Sequence, residues 1–249
     1  ARHWPQQVRA DSDPIAVGDE AVMLARDTGC PLSVGPDRPA AVAALLRHTD
    51  VDIVISDDGM QHYALARDLE IAVIDGERRL GNSLLLPAGP LREPASRLDD
   101  ADIVVVNGQA GAGEYAMTLQ GPRARPLHGG DEYDLGHFAG RSVHAVAAIG
   151  NPPRFFDLLA QAGILVKPHP FPDHHVFAAA DLRFEDPLPI LITAKDAVKC
   201  RRIACRDCWE VRVSAHPDAG FVQRLDNALE EIVNGQKAAG HPGMSDLQG

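Results

Sequence analysis

The segment DDGMQH at residues 57–62 carries two adjacent carboxylates that could bind a metal ion. It directly follows residues 51–56, an apolar run typical of a buried parallel strand. Ligands of open parallel sheets bind at the carboxyl ends of the strands, where carboxylates can hold a magnesium ion that bridges phosphate oxygens. Asp57 and Asp58 are therefore candidate magnesium and nucleotide ligands. The alternative interpretation is an ordinary Asp-Asp-Gly turn or a helix cap.

Two other segments carry candidates for acid–base chemistry. VGDE at residues 17–20 opens a predicted helix, where Asp19 is either an N-cap or a carboxylate that accepts a proton. FPDHH at residues 171–175 offers two histidines, one of which Asp173 could orient. Adjacent side chains on an extended segment point to opposite sides, so we expect at most one histidine to face a site. Solvated histidines in a loop are the alternative.

Cationic candidates lie in two further loops. Arg92 and Glu93 end LPAGPLRE at residues 86–93, where Arg92 could clamp a phosphate or form a surface ion pair. Lys195 starts a predicted helix, against the helix dipole, which favours contact with a ligand. Arg97 and Lys167 could add local positive charge, although solvated surface positions are the simpler interpretation for both.

Three of the four cysteines form C-x4-C-x2-C, at positions 200, 205 and 208. This spacing overlaps that of some iron–sulfur proteins, but Cys30 lies far upstream instead of downstream. A zinc site could recruit His216 as a fourth ligand. Free thiols in a reducing compartment are the favoured interpretation.

The elements that must position these residues alternate between strands and helices, which predicts an α/β fold with a mostly parallel sheet. The predicted helices are 19–28, 38–48, 152–162, 195–203 and 218–233. The predicted strands are 31–34, 51–56, 70–75, 102–107, 143–149, 164–168, 189–193 and 209–213. We expect a nucleotide-binding core at 1–115, followed by a linker region at 116–142 with only short extended stretches. A smaller α/β domain should cover 143–234, with a last helix that could pack back on the core. Residues 235–249 should form a flexible tail.

Composition excludes several classes of protein. The 249 residues are 45% hydrophobic and 24% charged, which predicts a packed core rather than a disordered chain. The net charge of −11 disfavours nucleic acid as a partner. No window approaches the roughly 20 uninterrupted apolar residues of a membrane span. The chain opens with Ala1 in a polar stretch unlike a signal peptide, which suggests a processed or truncated product.

Taken together, these segments resemble the tetraacyldisaccharide 4'-kinase family of lipid A biosynthesis. The resemblance is carried, in order, by VGDE (17–20), SDDGMQHYALARDLEIAVIDG (56–76), GNSLLLPAGPLREP (81–94), FPDHH (171–175) and TAKDAVKC (193–200). It implies a P-loop-kinase-like parallel sheet domain with a second, smaller α/β domain. It also implies transfer of the γ-phosphoryl group of ATP to the 4'-hydroxyl of a tetraacylated glucosamine disaccharide 1-phosphate, with magnesium, at the cytoplasmic face of the bacterial inner membrane.

The resemblance also implies roles for individual residues. Asp57 and Asp58 match the acidic pair that handles magnesium and nucleotide. Asp19 matches the carboxylate that activates the acceptor hydroxyl, and His174 looks like its partner. The remaining matches are Arg92 and Glu93, expected to position nucleotide or lipid phosphate, and Lys195, expected near the nucleotide.

One part of the family pattern is absent from these 249 residues. They contain no G-x-x-x-x-G-K-[ST] loop, whose backbone N–H groups cradle phosphates. We therefore expect an incomplete nucleotide-binding core, little kinase activity of the chain alone, marginal stability, and a membrane-contacting helix in the missing part. Two alternatives stay open. One is a metal-dependent hydrolase with Asp57, Asp58, His174 and His175 as ligands, and the other is a non-catalytic lipid- or nucleotide-binding remnant.

Overall fold

The computed structural model describes residues 4–238, which form two compact units. Unit one combines residues up to 57 with 121–214, and unit two combines 58–120 with the chain from 215 onward. The helices are α1 (Pro14–Val17), α2 (Asp19–Thr28), α3 (Arg38–His48), α4 (Pro152–Gln161), α5 (Ala194–Cys200) and α6 (Ala219–Ala238). The strands are β1 (Gln6–Val8), β2 (Leu32–Val34), β3 (Ile71–Asp75), β4 (Ile103–Asn107), β5 (Tyr115–Pro126), β6 (Tyr133–Asp134), β7 (Ser142–Ala147), β8 (Leu165–Pro170), β9 (Ile190–Thr193) and β10 (Cys208–Pro217).

The central strands of the sheet of unit one, β7 and β9, are buried on both faces. Its parallel strands follow the order β10, β9, β7, β8. Along β7 the side chains alternate between two apolar clusters. Val143, Ala145 and Ala147 pack with α4, whereas Val146 packs with residues of β9 and α5 on the other face. A strand buried on both faces reads as a continuous apolar run, which is why this sequence pattern identified it.

A third apolar cluster places α2 against α5. Val22 and Ala25 of α2 pack with Val198 of α5 and with Val8 of β1. A glycine flanks α2 at each end: Gly18 precedes the helix with φ 100°, and Gly29 follows it in the left-handed conformation. This packing fixes the first turn of α2, where Asp19 lies, relative to the helix that carries Lys195.

Unit two contains a smaller parallel sheet. Strand β3 pairs with β4, and β4 pairs with the first part of β5. Asp218 fastens the start of α6 to this sheet, because its carboxylate accepts hydrogen bonds from the backbone N–H of Ala116 at 2.9 Å and of Phe221 at 2.7 Å. The α/β fold class with a mostly parallel sheet is therefore confirmed.

The predicted strand at 51–56 is wrong. This segment has no strand conformation, and the side chains of Ile53 and Ile55 are 60% and 89% exposed. An apolar β-branched run becomes a strand only when a neighbouring strand supplies hydrogen-bond partners. The described part of the chain places no strand beside it.

Two further segments differ from expectation. The region 116–142 holds most of the twelve-residue strand β5 instead of only short extended stretches. The predicted tail begins inside α6, which continues through Gly235, and residues 239–249 lie outside the described part. The structure also adds β1 and α1, which the sequence pattern did not predict. The domain boundaries stay a prediction.

A helix long and apolar enough to cross a membrane does not occur within residues 4–238.

Candidate active site

Asp19 lies in the first turn of α2 with its carboxylate largely buried. Gly18, not Asp19, is the N-cap of this helix. One carboxylate oxygen, Oδ1, accepts a hydrogen bond from the backbone N–H of Glu20 at 3.0 Å. The other, Oδ2, faces two cations or potential cations: His174 Nδ1 at 3.7 Å and Lys199 Nζ at 3.6 Å. The capping interpretation of Asp19 is therefore wrong, and its second oxygen is available to a histidine.

His174 is the exposed member of this pair. Its side chain is 68% exposed, whereas that of Asp19 is 10% exposed. Its backbone has φ 59°, in the left-handed region, and its N–H donates to Asp173 Oδ1 at 2.9 Å. Such a conformation is uncommon outside glycine and clusters at functional sites. The backbone thus holds the imidazole between solvent and a buried carboxylate.

His175 turns away from this pair. Its Nε2 lies 3.0 Å from Asp181 Oδ2, and its ring stacks on Phe171 at a centroid distance of 4.6 Å. The prediction that the two adjacent histidines face different ways is confirmed. His174 is the one that faces Asp19.

Lys195 is paired with carboxylates of the same cluster. Its Nζ lies 3.0 Å from Glu20 Oε1 and 3.6 Å from Asp173 Oδ1. Burial alone would lower the pKa of Lys195, but the hydrogen bond to Glu20 and the nearby charges of Glu20, Asp19 and Asp173 raise it above its ordinary value. Desolvation would raise the pKa of Asp173, and the Lys195 charge together with the His174 N–H outweighs it, so that this pKa is lowered. Both groups are therefore charged at neutral pH.

Asp196 forms a buried centre beneath the cluster. Its side chain is fully buried and accepts hydrogen bonds from Ala148 N–H and Thr193 Oγ1, both at 2.7 Å. Lys199 Nζ lies 2.7 Å from its other oxygen. Sequence reasoning missed both Asp196 and Lys199. The i, i+4 spacing of Lys195 and Lys199 was the signal that could have placed both lysines on one helix face.

Asp57 and Asp58 lie in an exposed turn. Asp58 has φ 49° and a side chain that is 77% exposed, 3.8 Å from Arg92 Nη1. The main-chain oxygen of Asp57 accepts from Arg38 Nη2 at 3.5 Å. Two adjacent carboxylates that face solvent are oxygen ligands of the kind a hard cation prefers. Their assignment to magnesium stays a prediction.

Arg92 and Glu93 differ in how they are engaged. Arg92 is 64% exposed and its ion pair with Asp58 is long, at 3.8 Å. Glu93 is 20% exposed and accepts hydrogen bonds from Gln61 Nε2 at 2.8 Å and from the Tyr63 hydroxyl. Arg92 is therefore open to a phosphate group, whereas Glu93 fastens the loop that follows Asp58.

Arg97 is not a solvated surface residue, contrary to expectation. Its side chain is 16% exposed and lies 2.5 Å from Glu70 Oε1, with Glu93 Oε2 at 4.0 Å. Arg67 completes the group by pairing with Glu70 at 2.6 Å and donating to the main-chain oxygen of Met60 at 3.2 Å. Lys167 is half-exposed and pairs with Asp186 at 2.5 Å. Neither Arg97 nor Lys167 is free to bind an anion as it stands.

The cysteine motif forms no metal centre. Cys205 and Cys208 are joined in a disulfide, so the expectation of four free thiols is wrong for this pair, whose Cα atoms lie 5.8 Å apart. Cys200 is buried, and desolvation raises the pKa of its thiol to about 12. Within residues 4–238 there is no group of three or more His, Cys, Asp or Glu side chains that could hold a metal ion.

Known proteins match nearly the whole chain. The family model "Tetraacyldisaccharide-1-P 4'-kinase" (LpxK) matches residues 1–230. A tetraacyldisaccharide 4'-kinase of Nitrosococcus oceani is 52% identical over 231 residues, which is 93% of this chain and 68% of that protein. A tetraacyldisaccharide 4'-kinase of Pseudomonas aeruginosa strain LESB58 is 49% identical over 232 residues, covering 92% of this chain and 70% of its own length.

A solved structure supports the fold. LpxK from Aquifex aeolicus, crystallised in complex with ATP, superposes with a TM-score of 0.74 at 24% identity, covering 89% of this chain and 71% of that one. At this identity the likeness concerns the fold. The family match and the close relatives together establish that the chain belongs to the tetraacyldisaccharide-1-P 4'-kinase family.

Proposed function

We propose that this chain serves the transfer of the γ-phosphoryl group of ATP to the 4'-hydroxyl of a tetraacyldisaccharide 1-phosphate. Family membership supports the reaction and the substrate class. The observation that carries the assignment to residues is the Asp19–His174 pair, in which an exposed imidazole is backed by a buried carboxylate.

A sugar hydroxyl is a weak nucleophile until its proton has a nearby acceptor. His174 is exposed enough to meet a substrate, and Asp19 lies behind it to orient the ring and stabilise its charge. In the transfer the hydroxyl oxygen bonds to the γ-phosphorus, the bond to the β–γ bridging oxygen breaks, ADP leaves with that electron pair, and the proton passes to the pair. The distance of 3.7 Å exceeds a hydrogen bond, and such contacts often tighten only when substrate is bound.

Asp57 and Asp58 are the proposed ligands of a magnesium ion. Their adjacent, solvent-facing carboxylates suit a hard cation. Bound there, the ion would neutralise charge on the phosphate oxygens during transfer. Arg92, with its exposed guanidinium, would contact a phosphate of the nucleotide or of the lipid.

The remaining candidates have positioning roles in this proposal. Glu93 holds the loop of Gln61 and Tyr63, because both of its carboxylate oxygens already accept hydrogen bonds. Lys195, expected near the nucleotide, pairs with Glu20 and Asp173, the chain neighbours of Asp19 and His174.

The loop of Arg92 also offers a surface for acyl chains. Leu84, Leu85 and Leu86 are 51%, 46% and 63% exposed, and Gly89 lets the loop close, since a Cβ there would lie 2.3 Å from the Leu84 carbonyl oxygen. Apolar side chains next to an exposed arginine suit an acylated phosphate. We infer peripheral contact with the inner membrane, where such a substrate resides, and no role for nucleic acid.

The test is a 4'-kinase assay of the full-length gene product with ATP and tetraacyldisaccharide 1-phosphate. Asp19→Asn and His174→Gln should each lower kcat about 10²- to 10⁴-fold, the range of general acid–base catalysis. Asp27→Asn is the matched control, because Asp27 lies on the same helix and pairs with Arg212, away from the cluster. Kinase activity that survives both site substitutions would refute the assignment.

The two alternatives predict other outcomes. A hydrolase with Asp57, Asp58, His174 and His175 as metal ligands would release product without ATP, and the bond of His175 to Asp181 argues against it. A non-catalytic remnant would bind the acylated disaccharide without turnover, and the Asp19 variant would bind it equally well.

A further inference from the structure

Helix α5 presents two lysines, one turn apart, to neighbouring carboxylates of α2. Lys195 reaches Glu20 and Lys199 reaches Asp19, at 3.0 Å and 3.6 Å. The two lysines differ in surroundings: the side chain of Lys195 is 18% exposed and that of Lys199 is 9% exposed. The lysine nearer to the catalytic pair is thus the more deeply buried.

Lys199 contacts a buried carboxylate and an aromatic ring. Its Nζ forms an ion pair with the fully buried Asp196 at 2.7 Å, although the angles are not those of a hydrogen bond. The ammonium group also lies 5.4 Å from the centre of the Phe177 ring, within the range of a cation–π contact. Its N–H groups make no hydrogen bond within the described structure, so they remain available to Asp19 Oδ2.

We propose that Lys199 is a positioning residue that fixes the orientation of the Asp19 carboxylate beside His174. The proposal rests on the function assigned above to the Asp19–His174 pair. Lys199 acts through Asp19 and touches neither substrate nor the reacting atoms.

The charges around Asp19 explain why such a residue is needed. Four carboxylates meet here, on Asp19, Glu20, Asp173 and Asp196, against two ammonium groups. With Lys195 occupied by Glu20 and Asp173, Lys199 is the lysine that lies against Asp19. Its ammonium group approaches Oδ2, the carboxylate oxygen that also faces His174. Without Lys199, the largely buried Asp19 carboxylate would lose the ammonium group that holds Oδ2 in place. A rotated Asp19 could not stabilise charge on the His174 ring.

Lys199→Met in the full-length protein tests the proposal in the same 4'-kinase assay. We expect kcat to fall about 100-fold, the loss that follows from misplacing a catalytic group by about 1 Å, with KM for ATP and for the disaccharide unchanged. Lys199→Arg keeps the charge and should recover most of kcat. Lys167→Met is the matched control, because it removes a lysine paired with Asp186 at a distance from the cluster.

A second variant separates positioning from folding. Lys199→Met leaves Asp196 buried without its cation, which by itself destabilises the protein. The double variant Lys199→Met with Asp196→Asn removes both charges and keeps an acceptor for Ala148 and Thr193. We expect the double variant to regain the melting temperature of the unsubstituted protein, while its kcat stays low. Recovery of kcat together with the melting temperature, or no rescue by Lys199→Arg, would overturn the proposal.

Failure of the proposed function has a different signature. If Asp19→Asn keeps its activity, the catalytic pair is misassigned. If Asp19→Asn is inactive while Lys199→Met has normal kcat, only the role of Lys199 is refuted.

Discussion

The Asp19–Lys199 pair of unit one and the Asp58–Arg92 pair of unit two are supported in opposite ways. In unit one, Asp19 and Lys199 come from two packed helices, and their side chains are 10% and 9% exposed. In unit two, Asp58 and Arg92 come from loops and are 77% and 64% exposed. Both regions use a left-handed residue other than glycine, His174 in the first and Asp58 in the second.

This difference matches the two tasks. A proton acceptor must be held within a fraction of an ångström of its partner, which packed helices and buried ion pairs provide. Ligands of phosphate and metal must reach groups that arrive from solvent, which exposed loops allow. Unit two does have a rigid part, the buried Arg97–Glu70 pair, but it lies behind the loop rather than at its tip. The comparison predicts that substitutions in unit one affect stability and those at the loop tips affect binding.

The largest expected effect is on folding. Asp196→Ala removes the acceptor of Ala148 and Thr193 and leaves Lys199 buried without its anion, so we expect a loss of about 3–5 kcal/mol in the free energy of unfolding. Urea denaturation measures it, followed by tryptophan fluorescence for unit one, which holds Trp4 and Trp209, and by far-ultraviolet circular dichroism for unit two, where the control residue lies. Asp58→Asn, at an exposed carboxylate and with a residue that tolerates the left-handed backbone there, is the control and should change the free energy by less than about 0.5 kcal/mol. Equal losses in the two variants would contradict the comparison.

A smaller effect is expected for the rigid part of unit two. Arg97→Met leaves the Glu70 carboxylate, 10% exposed, without one of its two arginines, which should destabilise by about 1–3 kcal/mol. Far-ultraviolet circular dichroism is the suitable probe, since neither tryptophan lies in unit two. Arg92→Met is the control and should leave the free energy of unfolding unchanged. An unchanged denaturation midpoint for Arg97→Met would show that the Arg97–Glu70 pair does not contribute to the free energy of unfolding.

The same contrast limits what the sequence could predict. Strands β7 and β9 were predicted because burial on both faces leaves a nearly continuous apolar run, which His144 interrupts in β7. The run at 51–56 is also apolar and β-branched, but strand formation depends on a neighbouring strand that composition does not reveal. Strand β5 escaped notice because Gly121, with φ 56°, and the proline after it resemble a loop.

The candidate site was predictable as parts rather than as an arrangement. Asp19 and His174 stood out by residue type and by the family resemblance, yet only the fold brings residues so far apart in sequence to 3.7 Å. Arg97 looked like a surface charge because sequence does not show that Glu70 and Glu93 surround it. Lys199 was missed because nothing in its local sequence reveals that its neighbour Asp196 is fully buried.

Acid should weaken unit one through a cluster that joins β7, β8 and the loop before β9. His144 Nδ1 lies 2.9 Å from His169 Nε2, and its Nε2 lies 2.5 Å from Asp186. Desolvation, then the neighbouring His144, lowers the pKa of His169. The unfolded chain therefore binds protons at His169 more readily, so the stability that this group contributes is present above the ordinary imidazole pKa of about 6.5 and is lost as pH falls through the lower folded value.

The measurement is the tryptophan-detected melting temperature between about pH 7.5 and about pH 5.5, a range that brackets the ordinary imidazole pKa. The decline should be shallower in His169→Gln than in the unchanged protein. His128→Gln is the control, because His128 is an exposed histidine of the same unit. Asp186, whose pKa is lowered by Lys167 and then by His144, adds its own loss only below that range. Parallel curves for His169→Gln and His128→Gln would exclude the cluster as the cause.

Substitution of Arg92 should have the smallest effect on stability but a clear effect on substrate binding. Its pair with Asp58 is exposed and long, so Arg92→Ala should shift the free energy of unfolding by less than about 0.5 kcal/mol. The loss of one charge-assisted contact to a phosphate should raise KM for ATP or for the disaccharide about tenfold or more. The substrate whose KM rises identifies the phosphate that Arg92 meets. Arg92→Lys should recover only part of the affinity, because an ammonium group cannot form two parallel hydrogen bonds to one phosphate.

Arg79→Ala is the matched control, since Arg79 is an exposed arginine of unit two already paired with Glu114 at 2.5 Å. Should Arg92→Ala destabilise the protein and leave both KM values unchanged, the division between a rigid proton-accepting region and open phosphate-binding loops would be wrong for unit two. A rise in KM without loss of stability would instead place the binding function on the part of the molecule that folding does not need.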